Sequence, residues 1–330
     1  MKLYHIILNI STDYIRLFPY SVPFPFRIFT FSIEWMYGVS FAVLSLSAGA
    51  FEFICAKKKG KKRPIVNALI AAVGFAAGFG GLVYLLNNVI FDGGNNHIIE
   101  YNNIHDVFLL SDDAGAIYAG RRWDFYGTVI RYNAVYNVGS GEHKPDGIYM
   151  DDALSGQTVY GNLLVNVPRI GIDLGGGRDM TAKNNIIINS NDRSISYDSR
   201  ARDGITSNYW FIKDGGMWKL LYDLPWKTEL WQNAFPQMAR FSDNFDDPDN
   251  PDFVLNPAYS DVSGNIIVNI KGDIGRISDP AKQYSKIDDN FIYRMGRGKK
   301  LFNDFENGDY TLKNAPNGFE QIPFDKIGRY

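Results

Sequence analysis

Two pairs of adjacent aspartates flank short apolar segments in the middle of the chain. Asp112 and Asp113 precede the segment GAIYAG. Asp151 and Asp152 stand at the end of the related segment DGIYMD. Neighbouring carboxylates repel each other, so each pair needs a counter-charge, a shared proton or a metal ion nearby. These pairs are therefore the first residues to consider for chemistry.

Clustered carboxylates have three ordinary uses, and the sequence alone leaves all three open. Glycoside hydrolysis needs two carboxyl groups, roughly 5–5.5 Å apart for retention or roughly 6.5–9.5 Å apart for inversion. Crowding raises the pKa of one carboxyl, which then stays protonated as general acid. Clustered carboxylates also bind Ca²⁺, and aspartate is a common turn residue with no chemical role. Asp113, Asp151 and Asp152 are thus candidates for catalysis, calcium binding or turn formation.

Other polar and aromatic residues follow the same segments and would line a groove beside the aspartates. They are Arg121, Arg122, Trp123, Tyr149, Asp173 and Arg178. Arginine forks and an aromatic face next to clustered acids are typical of a sugar-binding groove. The alternative is that the arginines neutralise the acids as structural ion pairs.

A repeat must position these residues. Six segments align on an internal asparagine, at Asn102, Asn133, Asn162, Asn185, Asn265 and Asn290. The separations of 31, 29, 23, 80 and 25 residues indicate a solenoid with one insertion. The segments alternate polar and apolar residues, as strands do. An asparagine inside a strand is unfavourable alone, but stacked on successive rungs it forms a hydrogen-bonded ladder. The repeat favours an all-β parallel β-helix over a β-sandwich with asparagines at surface turns.

A second set of segments supports this fold, since 115–120, 146–151, 170–175 and 193–198 align without gaps. Their isoleucines form a predicted inward column of Ile117, Ile148, Ile172 and Ile195. Because side chains alternate along a strand, the next residues point outward, namely Tyr118, Tyr149, Asp173 and Ser196. Asp151 and Asp198 also fall on the outward face. Asp152 begins a turn, where alternation no longer fixes its direction.

Composition limits the classes of function. The 330 residues suffice for one large domain or two ordinary ones. A formal net charge of −2 argues against nucleic-acid binding, which needs a basic face. The single cysteine, Cys55, excludes intramolecular disulfides and cysteine-cluster zinc sites. The four histidines show no metal-ligand spacing, so calcium is the one cofactor that the acidic residues suggest.

The segment 1–79 differs from the rest of the chain in its amino-acid composition. Apolar runs at 35–55 and 65–86 are each long enough to span a membrane as helices. The basic stretch between them would stay cytoplasmic, which leaves 90–330 outside the cytoplasm, either membrane-anchored or secreted. We therefore expect an apolar, helical N-terminal segment that forms a transmembrane hairpin. The alternatives are an internal signal anchor and a buried helical hairpin that caps a soluble domain.

An insertion interrupts the β-helix domain at about 199–259. Its stretch 216–241 contains three tryptophans and is predicted to form one or two short helices. An acidic loop broken by prolines follows it. Insertions in solenoids usually pack on one flank, either beside a binding face or as a structural clasp.

Several sequence segments resemble those of a known group of proteins. DDAGAIYAGRRW, DGIYMDDALSGQTVYGNLLVNV and GGGRDMTAKNNIIIN resemble the right-handed parallel β-helix proteins of bacterial glycan degradation, closest to glycoside hydrolase family 141. That family contains α-L-fucosidase and xylanase activities. The resemblance covers about 80–330 and implies paired catalytic aspartates, which match Asp113 and either Asp151 or Asp152.

The chain also departs from that family. Gly175 and Met180 stand where the family pattern has histidine and asparagine. The apolar N-terminus stands where the family has further rungs, which implies a shortened groove. We expect a glycoside hydrolase that acts on a poly- or oligosaccharide through paired aspartates. A polysaccharide lyase with a basic proton abstractor and calcium is one alternative, and a non-catalytic glycan-binding β-helix is another.

Overall fold

The computed structural model describes residues 89–90 and 94–329. The segment 1–79 and both candidate membrane spans lie outside these residues, so the expected hairpin stays a prediction. Within the described part, no helix is both long enough and apolar enough to cross a membrane.

Three parallel sheets make up most of the described structure. Sheet A consists of β1 (Val89–Ile90), β4 (Gly115–Gly120), β7 (Asp146–Asp151), β10 (Ile170–Asp173), β13 (Arg193–Tyr197) and β16 (Gly275–Ile277). Sheet B consists of β2 (Ile98–Glu100), β5 (Val129–Arg131), β8 (Thr158–Tyr160), β11 (Thr181–Lys183) and β14 (Asp261–Ser263). Sheet C consists of β3 (Asn103–His105), β6 (Ala134–Tyr136), β9 (Leu163–Val165), β12 (Ile186–Ile188), β15 (Ile266–Asn269) and β17 (Phe291–Arg294).

The chain passes through sheets B, C and A in turn, so each strand pairs with its counterpart one repeat away. The predicted inward column is confirmed, because Ile148 pairs with both Ile117 and Ile172, and Ile172 pairs with Ile195. These four side chains are fully buried. Their stacking removes apolar surface from water, which stabilises rung against rung. The mostly parallel, rung-by-rung pairing is consistent with a parallel β-helix.

The asparagine ladder is confirmed. Nδ2 of each ladder asparagine donates to Oδ1 of the next, at distances of 2.8, 2.9, 3.0, 2.9 and 2.8 Å from Asn102 to Asn290. The same Oδ1 atoms accept the backbone N–H groups of the preceding ladder residues. The residue before every ladder asparagine is left-handed, with φ between 53° and 65°. This single left-handed residue turns the chain from sheet B to sheet C.

The insertion leaves sheet A after β13 and returns at β14. It contains the helices α1 (Arg200–Asp203), α2 (Gly216–Tyr222) and α3 (Glu229–Ala234), and a 3-10 turn at Pro236–Arg240. The helices expected within 216–241 are therefore present. They share an apolar cluster with Trp123 and Tyr126 of the solenoid, and Trp218 and Phe253 contribute to that cluster from the insertion.

The C-terminal part covers the outer face of sheet C. It contains α4 (Asp279–Tyr284), α5 (Met295–Gly298), 3-10 turns at Lys299–Leu301 and Phe324–Lys326, and the hairpin of β18 (Phe302–Asp304) and β19 (Asp309–Leu312). Phe302 and Ile322 are buried in one cluster with Ile188 and Ile266 of sheet C. This face is packed as core.

Candidate functional site

Four aspartates converge on the outer side of sheet A, and we call Asp151, Asp152, Asp173 and Asp198 the acid cluster. Tyr149 pairs with Asp173, and Asp173 pairs with Ser196. If this register is continued by two residues, the position of Asp151 corresponds to Gly175 on the next rung and to Asp198 on the rung after that. Gly175 itself is left-handed, with φ of 31°, and an added Cβ would lie 2.3 Å from the carbonyl oxygen of Met150, so the chain turns here against the neighbouring rung.

The side chain of Arg200, at the start of α1, connects the carboxylates of the acid cluster. Its Nη1 donates to Asp151 at 3.0 Å, and its Nη2 donates to Asp173 at 2.9 Å. Nε and Nη2 donate to Asp198 Oδ2 at 3.0 and 2.9 Å. A Cβ added at Gly176 would lie 3.2 Å from Cγ of Arg200, so glycine leaves room for this arginine. One guanidinium thus holds three carboxylates by charge-assisted hydrogen bonds.

The acid cluster is largely covered. The side chains of Asp151 and Asp173 are only 4% and 2% exposed, whereas those of Asp152 and Asp198 are 17% and 15% exposed. Alternation predicted the outward direction correctly, but the outward residues do not face an open groove because Arg200 lies over them. The part that solvent reaches is an edge formed by Asp152, Asp198 and Arg200.

Asp152 differs chemically from its neighbours. Arg121 donates to it from Nε at 2.8 Å, and Nη2 of the same arginine lies 3.4 Å from Asp151. Burial, and then the negative charge of Asp151, raise the pKa of Asp152 above its ordinary value. Burial also raises the pKa of Asp173, against the attraction of Arg200. Asp152 therefore combines a raised pKa with access to solvent.

The backbone at Asp152 is strained. Asp152 and Ala153 both adopt left-handed conformations, with φ of 39° and 61°. The matching turn of the next rung uses Gly175 and Gly176, with φ of 31° and 77°. A left-handed residue with a Cβ costs about 1–2 kcal/mol, and such strain clusters at functional sites. Other aspartates at turns of the described rungs, Asp106 and Asp289 among them, share this conformation, so it is the exposure and the pKa of Asp152 that set it apart.

Tyr118 and Tyr149 complete the surroundings of the cluster. The Tyr118 hydroxyl donates to Asp151 at 3.0 Å. The Tyr149 ring lies near two guanidinium groups, 5.6 Å from that of Arg169 and 5.9 Å from that of Arg200. Burial raises the pKa of both tyrosines well above the usual value, so their hydroxyls are neutral donors.

Asp113 lies apart from the acid cluster. It is exposed and precedes β4, whose first residue, Gly115, pairs with Asp146 at the start of β7. Asp151 stands at the far end of β7, five residues and about 16 Å away along the strand. The expected pairing of Asp113 with Asp151 or Asp152 is therefore corrected, because this distance exceeds both hydrolytic separations.

Three of the residues expected to line a groove make structural contacts instead, and two of them, Trp123 and Arg178, hold the insertion in place. Trp123 is buried and meets Trp218 edge-on at 4.8 Å between ring centroids. Arg178 is fully buried, and its Nη1 donates to the carbonyl oxygens of Asp252 and Phe253. Arg122 forms a two-fold hydrogen bond with Asp124, at 2.8 and 2.7 Å. These residues are structural in their observed contacts.

The described residues contain no group of three or more His, Cys, Asp or Glu side chains placed to hold a metal ion. In the acid cluster, a guanidinium group stands where the carboxylates converge. Arg200 is the residue that sequence analysis missed, because strand alternation carries no information beyond the end of β13. Its signal was the motif DSRAR, an arginine two residues after Asp198.

Asp152 and Asp198 are the two carboxylates of the acid cluster that solvent reaches. Of these, Asp152 has the raised pKa described above. Comparison of the chain with protein-family models, with curated proteins and with solved structures finds no match.

Proposed function

We propose that the chain is a glycoside hydrolase built on a right-handed parallel β-helix, and that it acts on a poly- or oligosaccharide at the exposed edge of the acid cluster. The observation that carries this proposal is Asp152. Its carboxyl has a raised pKa and reaches solvent. These are the properties of a general acid rather than of a turn residue.

We infer an inverting reaction for the two reachable carboxylates. Asp152 Oδ1 lies 3.8 Å from Nη1 of Arg200, and Asp198 Oδ2 lies 2.9 Å from Nη2 of the same guanidinium group, which separates the two carboxyl groups. Inverting hydrolysis requires roughly 6.5–9.5 Å between the two carboxyl groups, with a water molecule between base and sugar. Asp152 gives its proton to the glycosidic oxygen as the C–O bond breaks. Asp198 takes a proton from the attacking water, whose oxygen bonds to the anomeric carbon.

The remaining residues of the site act as positioning residues. Arg200 holds Asp198 through hydrogen bonds to both carboxylate oxygens. The negative charge of Asp151 raises the pKa of the neighbouring Asp152, and Tyr118 and Arg200 hold Asp151 in place. The buried ion pairs thus fix the two reactive groups on a rigid frame.

The test compares single variants on a panel of neutral and acidic polysaccharides, with reducing ends as the readout. Asp152→Asn and Asp198→Asn should each lower the rate at least a hundredfold, within the usual contribution of an acid or base. Asp192→Asn, a half-exposed aspartate elsewhere on the surface, is the matched control. Loss of activity in Asp113→Asn with full activity in Asp152→Asn would overturn the assignment.

A non-catalytic glycan-binding protein is the second candidate, favoured by the contacts of the acid cluster. All four of its carboxylates already accept hydrogen bonds or ion pairs from Arg121 or Arg200. Such saturation is also what a purely structural ion cluster requires. Glycan binding without product after long incubation, and wild-type binding by Asp152→Asn, would support this candidate over hydrolysis.

A further inference from the structure

A cleft of about 720 Å³ lies on the side of the sheet B strands, away from the acid cluster. One wall is the 3-10 turn of the insertion, which contributes Gln237 and Arg240. Another part of the lining is the end of α4, which contributes Gln283 and Tyr284. Thr181 of β11 lines the cleft as well. The volume suits a short oligosaccharide or a ligand of similar size.

The groups around the cleft are held rigidly before any ligand arrives. Tyr259 has a left-handed backbone, with φ of 60°, and its hydroxyl donates to Asp252 at 2.7 Å. The guanidinium of Arg240 lies 4.3 Å from the centroid of the Tyr259 ring and pairs with Asp179. The Tyr126 hydroxyl fixes Asp179 in turn, at 2.7 Å. A ligand would therefore meet a preformed surface, which lowers the entropy cost of binding.

Two primary amides in the cleft are free to bind a ligand. Among the described residues, no hydrogen bond joins the side chain of Gln237 or of Gln283 to another protein group. Each amide offers two donors and an acceptor, which match the hydroxyl groups of a sugar. Both amides line the same cleft, Gln237 from the 3-10 turn and Gln283 from α4, so a ligand in the cleft has both within its surroundings.

The charges of the cleft are already paired. Arg240 pairs with Asp179, and Nζ of Lys286 lies 3.4 Å from Asp288 and 3.7 Å from Asp289. No cationic group remains to attract a carboxylate or a phosphate strongly. The chemistry favours an uncharged ligand with many hydroxyl groups.

We propose that this cleft is a second, non-catalytic site that binds a neutral oligosaccharide. Gln237 and Gln283 bind its hydroxyl groups, and Arg240 with Tyr259 forms a flat, rigid surface beside it. This proposal does not depend on hydrolysis at the acid cluster, because none of the four aspartates of that cluster lines the cleft.

The test measures binding by calorimetry on the full chain carrying Asp152→Asn, which prevents turnover. The probes are neutral xylo-, gluco- and manno-oligosaccharides, with oligogalacturonate as the charged comparison. At least one neutral probe should bind more tightly than the galacturonate. The double variant Gln237→Ala with Gln283→Ala should weaken that binding at least tenfold.

Gln232→Ala in α3 is the matched control, since this glutamine lies outside the cleft, and it should leave binding unchanged. Thr181→Trp, which fills the cleft, should abolish binding while circular dichroism stays that of the parent. Absence of binding to every neutral probe, or binding that survives both cleft variants, would overturn the proposal. Hydrolysis by the wild-type chain is scored separately, so the two proposals fail independently.

Discussion

Replacing Asp152 by glycine should leave the fold intact and abolish hydrolysis. Glycine relieves the left-handed strain at φ 39°, a gain of about 1 kcal/mol. It also increases the freedom of the unfolded chain, a loss of about 0.4–1 kcal/mol. The substitution removes an ion pair with Arg121, whose side chain is 39% exposed, and a longer one with Arg200 at 3.8 Å, and the exposed pair with Arg121 contributes at most about 1 kcal/mol.

These terms nearly cancel, and the removal of repulsion between Asp152 and Asp151 acts in the stabilising direction. We expect a free energy of unfolding within about 1 kcal/mol of wild type, which is a shift of about 2–4 °C in Tm at most. Asp151→Ala removes the adjacent carboxylate, but it should lower the free energy of unfolding much more than Asp152→Gly does. Asp151 is buried with partners on Tyr118 and Arg200, so its loss should cost about 3–5 kcal/mol.

The assay combines thermal denaturation by circular dichroism with release of reducing ends. Ala153→Gly serves as control, because it relieves the same kind of strain and leaves the carboxylate in place. A loss of more than about 2 kcal/mol in Asp152→Gly would show that its carboxylate is a structural anchor. Unchanged hydrolysis in that variant would refute its role as general acid.

The ladder, Arg200 and Asp146 each give a further prediction. Asn162→Ala should lower the free energy of unfolding by about 3 kcal/mol, measured by thermal denaturation, because buried groups on two rungs lose their hydrogen-bond partners. The control Asn166→Gly removes only an exposed amide contact at a left-handed turn, so it should lower the free energy of unfolding by less than about 1 kcal/mol. Arg200→Met should lose about 3–5 kcal/mol at neutral pH and less in acid, where the abandoned carboxylates protonate, and an equal loss at all pH values would contradict this. Burial raises the pKa of Asp146 to about 7, against about 3.9 in the unfolded chain, so between these pH values the folded state binds one more proton than the unfolded state. The wild type should therefore lose stability relative to Asp146→Asn as the pH rises from about 4 to about 7. A Tm difference that moves the other way would mean that the ion pair with Arg169 dominates.

The fold could be predicted from the sequence because its determinants are local and periodic. The ladder asparagines and the inward isoleucines recur at fixed places in each rung, and the structure confirms both columns. Each rung meets only its neighbours, so the repeat alone specifies their contacts. The composition of the insertion also predicted its short helices correctly.

The site was harder to predict because its decisive contacts cross between unlike parts of the chain. Alternation placed Asp151 and Asp173 outward, but nothing periodic indicated that Arg200 would lie over them. Arg178 and Trp123 looked like groove residues by type, yet the insertion buries both. Asp113 matched a motif, but strand length separates it from Asp151. Long-range packing thus decides which of several similar residues meet.

The most direct test of the central claim is the product of polysaccharide digestion by wild type and by Asp152→Asn, followed by proton NMR. Hydrolysis by Asp152 and Asp198 should give saturated oligosaccharides with inverted anomeric configuration from the wild type, and at least a hundredfold less from the variant. Equal product from both proteins would contradict it. Unsaturated sugars that absorb in the ultraviolet would contradict it as well, because they would identify a lyase.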